Sequence, residues 1–172
     1  MSLSIQVRQE LPADIVEIHA LNAAAFGREA EAALVDRLRA VLVNPFISMV
    51  AEVDGRIVGH ILFTPVVIAG QTSWQAMGLA PMSVLPEMQR RGIGTQLIRE
   101  GLSACVKAGQ NVIVVLGHPA YYPRFGFRRL REFGLTCEFE APDDAMMIAE
   151  LLPGAVSGRT GQIRYHPLFR EV

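Results

Sequence analysis

A chain of 172 residues, 51% of them apolar and with a net charge of -1, has the size to bury one substantial core and is expected to form a single domain over residues 1–172. The balanced charge gives no global field to hold nucleic acid or an anionic membrane, and the longest apolar run is too short and too interrupted to span a bilayer. Two cysteines and no charged-then-apolar leader argue against a disulfide scaffold and for a reducing, cytoplasmic setting.

Residues 5–8 alternate and suit a first strand. Pro12 fits the first turn of a helix that presents Ile15, Ile18, Leu21 and Ala25 on one face. A second helix is expected over residues 29–43, with Leu34, Leu38, Val41 and Leu42 at helical spacing, stopping before Asn44-Pro45. Residues 46–53 and 56–68 read as strands joined at Asp54-Gly55, a strong hairpin signal. Pro65 is expected to bend or bulge the second of them. His19, His60 and Glu52 on these elements read as structural residues.

Residues 70–73 turn the chain into a strand beginning near Trp74. Beyond it lies Gln89-Arg90-Arg91-Gly92-Ile93-Gly94, and from Gly92 onward Ile93, Leu97, Ile98, Leu102, Cys105 and Val106 fall at helical spacing, so residues 89–94 form a helix entrance. Backbone N–H groups there lack helix partners and the helix dipole adds partial positive charge, which together suit a phosphate. Gly92 and Gly94 allow a diphosphate to approach the main chain, and Arg90 and Arg91 add charge beside it. The dinucleotide fingerprint fails because Thr95, Gln96 and Leu97 supply no third glycine, and no Gly-Lys-Ser/Thr follows for a nucleotide-triphosphate loop.

The run Val112-Ile-Val-Val-Leu116 reads as a strand covered on both faces and parallel to the one before the helix. A short helix or turn, then a further strand, is expected after Gly117. Residues 135–139 and 163–165 look extended, and residues 145–151, ambiguous between helix and strand, are read as strand. The sheet is therefore mixed, antiparallel first and parallel in its middle. Cys105 and Cys137 read as small core residues, Arg128, Arg129 and Arg131 as a solvated cluster, and no histidine or cysteine spacing suggests a metal site.

The hexapeptide 89–94 resembles the Gln/Arg-x-x-Gly-x-Gly/Ala signature of the GNAT superfamily of N-acetyltransferases at all its defined positions, and Tyr122-Pro-Arg-Phe-Gly-Phe127 resembles that superfamily's Tyr-x-x-x-Gly-Phe segment. Residues 116–127 and 163–169 further resemble a bacterial subgroup of predicted N-acetyltransferases with no assigned acceptor. The resemblance implies an α/β (α+β) fold with a centrally splayed mixed sheet flanked by helices, and acetyl-coenzyme A as co-substrate without a metal. It implies that Gln89, Arg90, Arg91, Gly92, Ile93, Gly94 and Thr95 grip the diphosphate. Pro81, lacking an N–H, favours divergence of the strands, so that main-chain groups of Met82, Ser83 and Val84 can pair with the pantetheine amides as an added strand would.

By position Tyr122 takes the tyrosine role of assisting the leaving thiolate. The glutamate base that some members carry on the central strand has no counterpart, since residues 74–84 contain no carboxylate. His118 is the candidate to remove the amine proton, because an imidazole titrates near neutrality. The acceptor implied is a primary amine on a small molecule or peptide. A homodimer is compatible with these properties, though no motif specifies one. A non-catalytic acyl-coenzyme A sensor and a purely structural partner-binding domain are the rival readings.

Overall fold

Two left-handed residues, Asp54 (φ 51°) and Gly55 (φ 77°), give the two-residue turn whose twist suits a hairpin. It joins β2 (Ile47–Val53) to β3 (Arg56–Ala69), antiparallel from Val53 opposite Arg56 to Ile47 opposite Phe63, with a register shift at Ala51/Glu52. β1 (Gln6–Gln9) lies antiparallel on the other edge of β2. The structure is a computed structural model that describes residues 2–172. Its chain divides into two compact units, one of residues 2–63, 81–104 and 167–172, the other of residues 64–80 and 105–166.

In the first unit, Pro12–Asp14 forms a short turn ahead of α1 (Ile15–Phe26), whose end is set by Gly27 at φ 69°. α2 (Ala30–Val41) follows and buries Ala32, Leu34, Val35 and Leu38, the stripe that helical spacing requires. α3 (Ile93–Lys107) packs against β3 with almost no clearance. A Cβ on Gly59 would stand 2.8 Å from Leu97 Cδ1, and one on Gly101 2.6 Å from Phe63 Cε2. Successive strand side chains point to opposite faces, so Gly59, Ile61 and Phe63 turn to α3 while His60 turns to α1, where it meets Asn22.

In the second unit, the far part of β3 pairs with β9 (Gly161–Arg164), Val67 opposite Arg164. β4 (Trp74–Val84) runs parallel to β5 (Val112–Leu116), with Met77 opposite Ile113 and Leu79 opposite Val115. β5 pairs antiparallel with β8 (Met146–Glu150), which also pairs with the two-residue β6 (Arg128–Arg129). β7 (Leu135–Cys137) lies parallel to β9. The strands form one mixed nine-stranded sheet in the order β1-β2-β3-β4-β5-β8-β6, with β9 on β3 and β7 on β9.

The expected elements recur with small shifts. The ambiguous segment is the strand β8, while β7 stops at Cys137 and β9 begins at Gly161, two residues earlier than alternation suggested. β3 is a single strand through Pro65. On the edge that β3 presents to β2 and then β9, pairing with β2 ends at Phe63 and that with β9 starts at Val67, so on this edge the proline falls between two partners. Cys105 is buried with its thiol pushed up to about 12 by burial, as suits a packed core residue. Among the described residues no helix is long and apolar enough to cross a membrane.

Candidate active site

The turn between β4 and α3 is wound by two left-handed residues, Arg90 (φ 61°) and Gly92 (φ 84°). The second is expected of glycine. The first costs a side-chain-bearing residue about 1–2 kcal/mol and nothing in the local sequence announces it. A short helical turn, Pro86–Met88, leads in, with Met88 N–H donating to Leu85 O at 2.8 Å.

Gln96 N–H donates to Gly92 O at 3.1 Å, closing the first turn of α3. The N–H groups of Ile93, Gly94 and Thr95 therefore precede any intrahelical acceptor. Ile93, Leu97 and Ile98 are buried and hold the helix down, while Gln89, Arg90, Arg91 and Gly92 are exposed. Among the described residues no carboxylate pairs with Arg90 or Arg91, and the nearby Glu87 is engaged by Arg56 at 3.2 Å. The loop thus offers main-chain donors, helix polarity and two uncommitted guanidinium groups, a combination that binds an anion of high charge density.

The end of β4 is tied to the same loop, since Gln89 Nε2 donates to Val84 O at 3.2 Å. Leu85 N–H donates to Val58 O at 2.9 Å, which fixes the alternation: main-chain groups of Leu85 and Ser83 face β3, and those of Val84 and Met82 face the opposite edge. The register with β5 ends at Leu79, so β4 continues for five residues beyond its last recorded partner there. Met82 and Val84 can accept an added extended chain on that edge. Ser83 differs from them, being only 5% exposed with its hydroxyl turned to Asn22 Oδ1 at 2.9 Å.

Tyr122 and His118 share one turn of the second unit. Gly117 N–H donates to Ala145 O at 3.0 Å, and His118 O accepts from Tyr121 N–H at 3.1 Å and Tyr122 N–H at 3.3 Å. The Tyr122 ring is held edge-on between Tyr121 and Phe127, at centroid distances of 5.3 and 5.6 Å. Gly117 makes room for it, because a Cβ there would lie 2.3 Å from Tyr122 Cε2. Tyr122 is buried, and burial, with a smaller contribution from Tyr121, pushes its hydroxyl up to about 12. The His118 side chain is exposed.

Sequence reading did not single out the buried polar residues of the first unit as a group: Asn22, Ser48, His60 and Ser83 all lie within hydrogen-bonding distance of another member of this set. The available signal was polarity out of place, an asparagine on the apolar stripe of α1 and a histidine inside the run Ile57–Phe63. Among the described residues no group of histidine, cysteine or carboxylate side chains could hold a metal ion.

The family model described as an acetyltransferase (GNAT) domain matches residues 6–130. The Escherichia coli K12 protein called uncharacterized N-acetyltransferase YhbS is 33% identical over 165 residues, 96% of this chain and 98% of its own length. The crystal structure of that Escherichia coli protein in complex with CoA superposes with a TM-score of 0.90 at 34% identity, covering 99% of this chain and 94% of the other. A GNAT family acetyltransferase from Brucella melitensis, solved in complex with acetyl-CoA, gives a TM-score of 0.79 at 36% identity, covering 96% of this chain and 98% of its own.

Proposed function

Because this chain belongs to the GNAT family of acetyltransferases, we propose that it moves acetyl from acetyl-CoA to a primary amine of a small molecule or peptide by direct attack. The observation that carries the reading is the start of α3, where the N–H groups of Ile93, Gly94 and Thr95, a turn wound by the left-handed residues Arg90 and Gly92, and the exposed guanidinium groups of Arg90 and Arg91 suit a diphosphate. The main chains of Met82 and Val84 take the pantetheine amides. Titration calorimetry with acetyl-CoA tests this half, and an absence of binding at millimolar concentration would remove it.

In the reaction, the neutral amine nitrogen attacks the thioester carbon and the C–N bond forms to give a tetrahedral intermediate, which collapses with cleavage of the C–S bond and departure of the thiolate, while the second nitrogen proton is released to solvent to leave the neutral amide. His118 is proposed to take up the proton that the ammonium must first lose. Tyr122 is proposed to hydrogen-bond the leaving sulfur. A phenol near 12 beside a thiol whose ordinary value is about 8.5 would give up its proton at a cost of about 5 kcal/mol, so it donates a hydrogen bond and solvent protonates the thiolate.

Tyr122→Phe is accordingly expected to lower kcat about tenfold to thirtyfold with coenzyme affinity unchanged, as measured by thiol release and calorimetry. Gly117→Ala, which drives a methyl into the Tyr122 ring, should lower kcat at least as far while leaving the hydroxyl in place. Equal kcat in both variants and wild type would remove the assignment. His118→Ala should depress turnover and restore it partly with added imidazole.

A second reading, an acyl-CoA sensor without turnover, is favoured by the lack of any carboxylate on β4. A broad amine panel separates the two, since a sensor binds acetyl-CoA and releases no thiol. We also propose one acyltransferase domain over residues 1–172, supported by β3, β4 and α3, each of which contributes residues to both compact units.

A further inference from the structure

The four buried polar side chains of the first unit can be ordered by their protons. Ser83 Oγ–H donates to Asn22 Oδ1 at 2.9 Å. Asn22 Nδ2 carries two hydrogens, one given to Ile18 O at 3.1 Å and the other to His60 Nδ1 at 3.2 Å. With Nδ1 accepting, the neutral imidazole carries its hydrogen on Nε2 and donates it to Ser48 Oγ at 2.8 Å. Ser48 Oγ–H then donates to Glu10 Oε2. The carboxylate at the end is clamped by Arg39, whose Nε and Nη2 lie 2.8 and 3.0 Å from its two oxygens.

Every link therefore points the same way, from β4 towards Glu10, and reversing any one of them would set two donors or two acceptors face to face. Asn22 and His60 are fully buried and Ser48 and Ser83 nearly so, where an unmatched polar atom is costly. A directed chain of this kind, anchored at one end by an ion pair, fixes where its other end can be. That end is Ser83, between Met82 and Val84, the residues whose main chain faces the open edge of β4.

We propose that Ser83 and Asn22 are positioning residues for the pantetheine arm: the chain from Ser83 through Asn22, His60 and Ser48 to Glu10 pins β4 from its covered face and so holds the Met82 and Val84 amides in register for the coenzyme. The proposal rests on the acetyl-CoA reading above. It also explains why Ser83 spends its hydroxyl on α1, since a serine otherwise tends to bond its own neighbouring backbone and would compete with an incoming amide.

The test compares two ligands on one sample. Acetyl-CoA uses both the diphosphate loop and the arm site, whereas 3′-phosphoadenosine 5′-diphosphate has the diphosphate and no pantetheine. In Ser83→Ala the dissociation constant for acetyl-CoA should rise about tenfold and that of the diphosphate fragment should stay at the wild-type value, with Ser83→Thr, which keeps a hydroxyl, restoring the first. Because the ratio of the two constants is taken on one preparation, any unfolded fraction cancels. An unchanged ratio in Ser83→Ala would overturn the proposal, as would failure of Ser83→Thr to restore it. If the wild-type protein does not bind the fragment at all, the diphosphate reading fails instead.

Discussion

Replacing Arg90 and Arg91 together by glutamate is expected to weaken acetyl-CoA binding at least about a hundredfold and to leave the unfolding midpoint within experimental error of wild type. A hydrogen bond to a charged group contributes about 1.5–3 kcal/mol, so two guanidinium contacts with phosphate contribute about 3 kcal/mol or more, and about 1.4 kcal/mol corresponds to tenfold in affinity. The glutamates add repulsion that salt would screen, so the difference from wild type should narrow as ionic strength rises. Both arginines are exposed and, among the described residues, paired with no carboxylate, which is why stability should hardly move. Calorimetry across a salt series checks the affinity and thermal unfolding the fold; unchanged affinity would place the diphosphate elsewhere.

Folding stability is expected to peak near pH 6.5 and to fall as the pH drops towards 4, by about 3 kcal/mol through His60, with a further loss beginning near pH 4.5 from Glu10, whose carboxyl pKa burial raises but the Arg39 and Ser48 hydrogen bonds hold below its ordinary value on balance. Burial, opposed by Glu10 and reinforced by Arg39, lowers the His60 imidazole to about 4. An unfolded chain protonates the same group near 6.5, so between these values the unfolded state binds more protons and acid favours it. The stability that His60 contributes is thus complete above pH 6.5 and is lost as the pH falls to about 4. His19 has the opposite sign: Asp36 and Glu29 hold its pKa above the ordinary value, so its contribution is present below pH 6.5 and fades as pH rises through its folded value. The acid limb should flatten in His60→Gln, which cannot titrate yet keeps a donor for Ser48. Urea unfolding at intervals from pH 4 to 8 measures both limbs, and a wild-type profile flat below pH 6.5 would mean that His60 is not sealed from water.

The helix-start loop was legible because its signals are local: glycines at fixed spacing ahead of an apolar stripe specify a turn and a helix without reference to the rest of the chain. The hairpin at Asp54-Gly55 and the buried run Val112-Ile-Val-Val-Leu116 were legible for the same reason. What could not be read depends on partners distant in sequence. That Pro65 sits where β3 changes neighbours on one edge could not be read from a single strand. Ser83 looked like its neighbours Met82 and Val84 until the Leu85 to Val58 hydrogen bond fixed which way each main chain faces. The polar chain draws on residues 10, 22, 48, 60 and 83, and no spacing links them. His60, read from sequence as structural, is buried and neutral, but its neighbours emerge only from the fold. Arg90 is left-handed without being glycine, so its conformation is imposed by the loop rather than encoded by residue type.

The exchange of neighbours along β3 bears on how the polypeptide reaches its native state during synthesis. Its first half can zip onto β2 as soon as the hairpin leaves the ribosome, yet Val67 must wait for Arg164, encoded nearly a hundred codons later. Until then residues 67–69 carry an unsatisfied ribbon edge, the kind of surface on which nascent chains stick to one another.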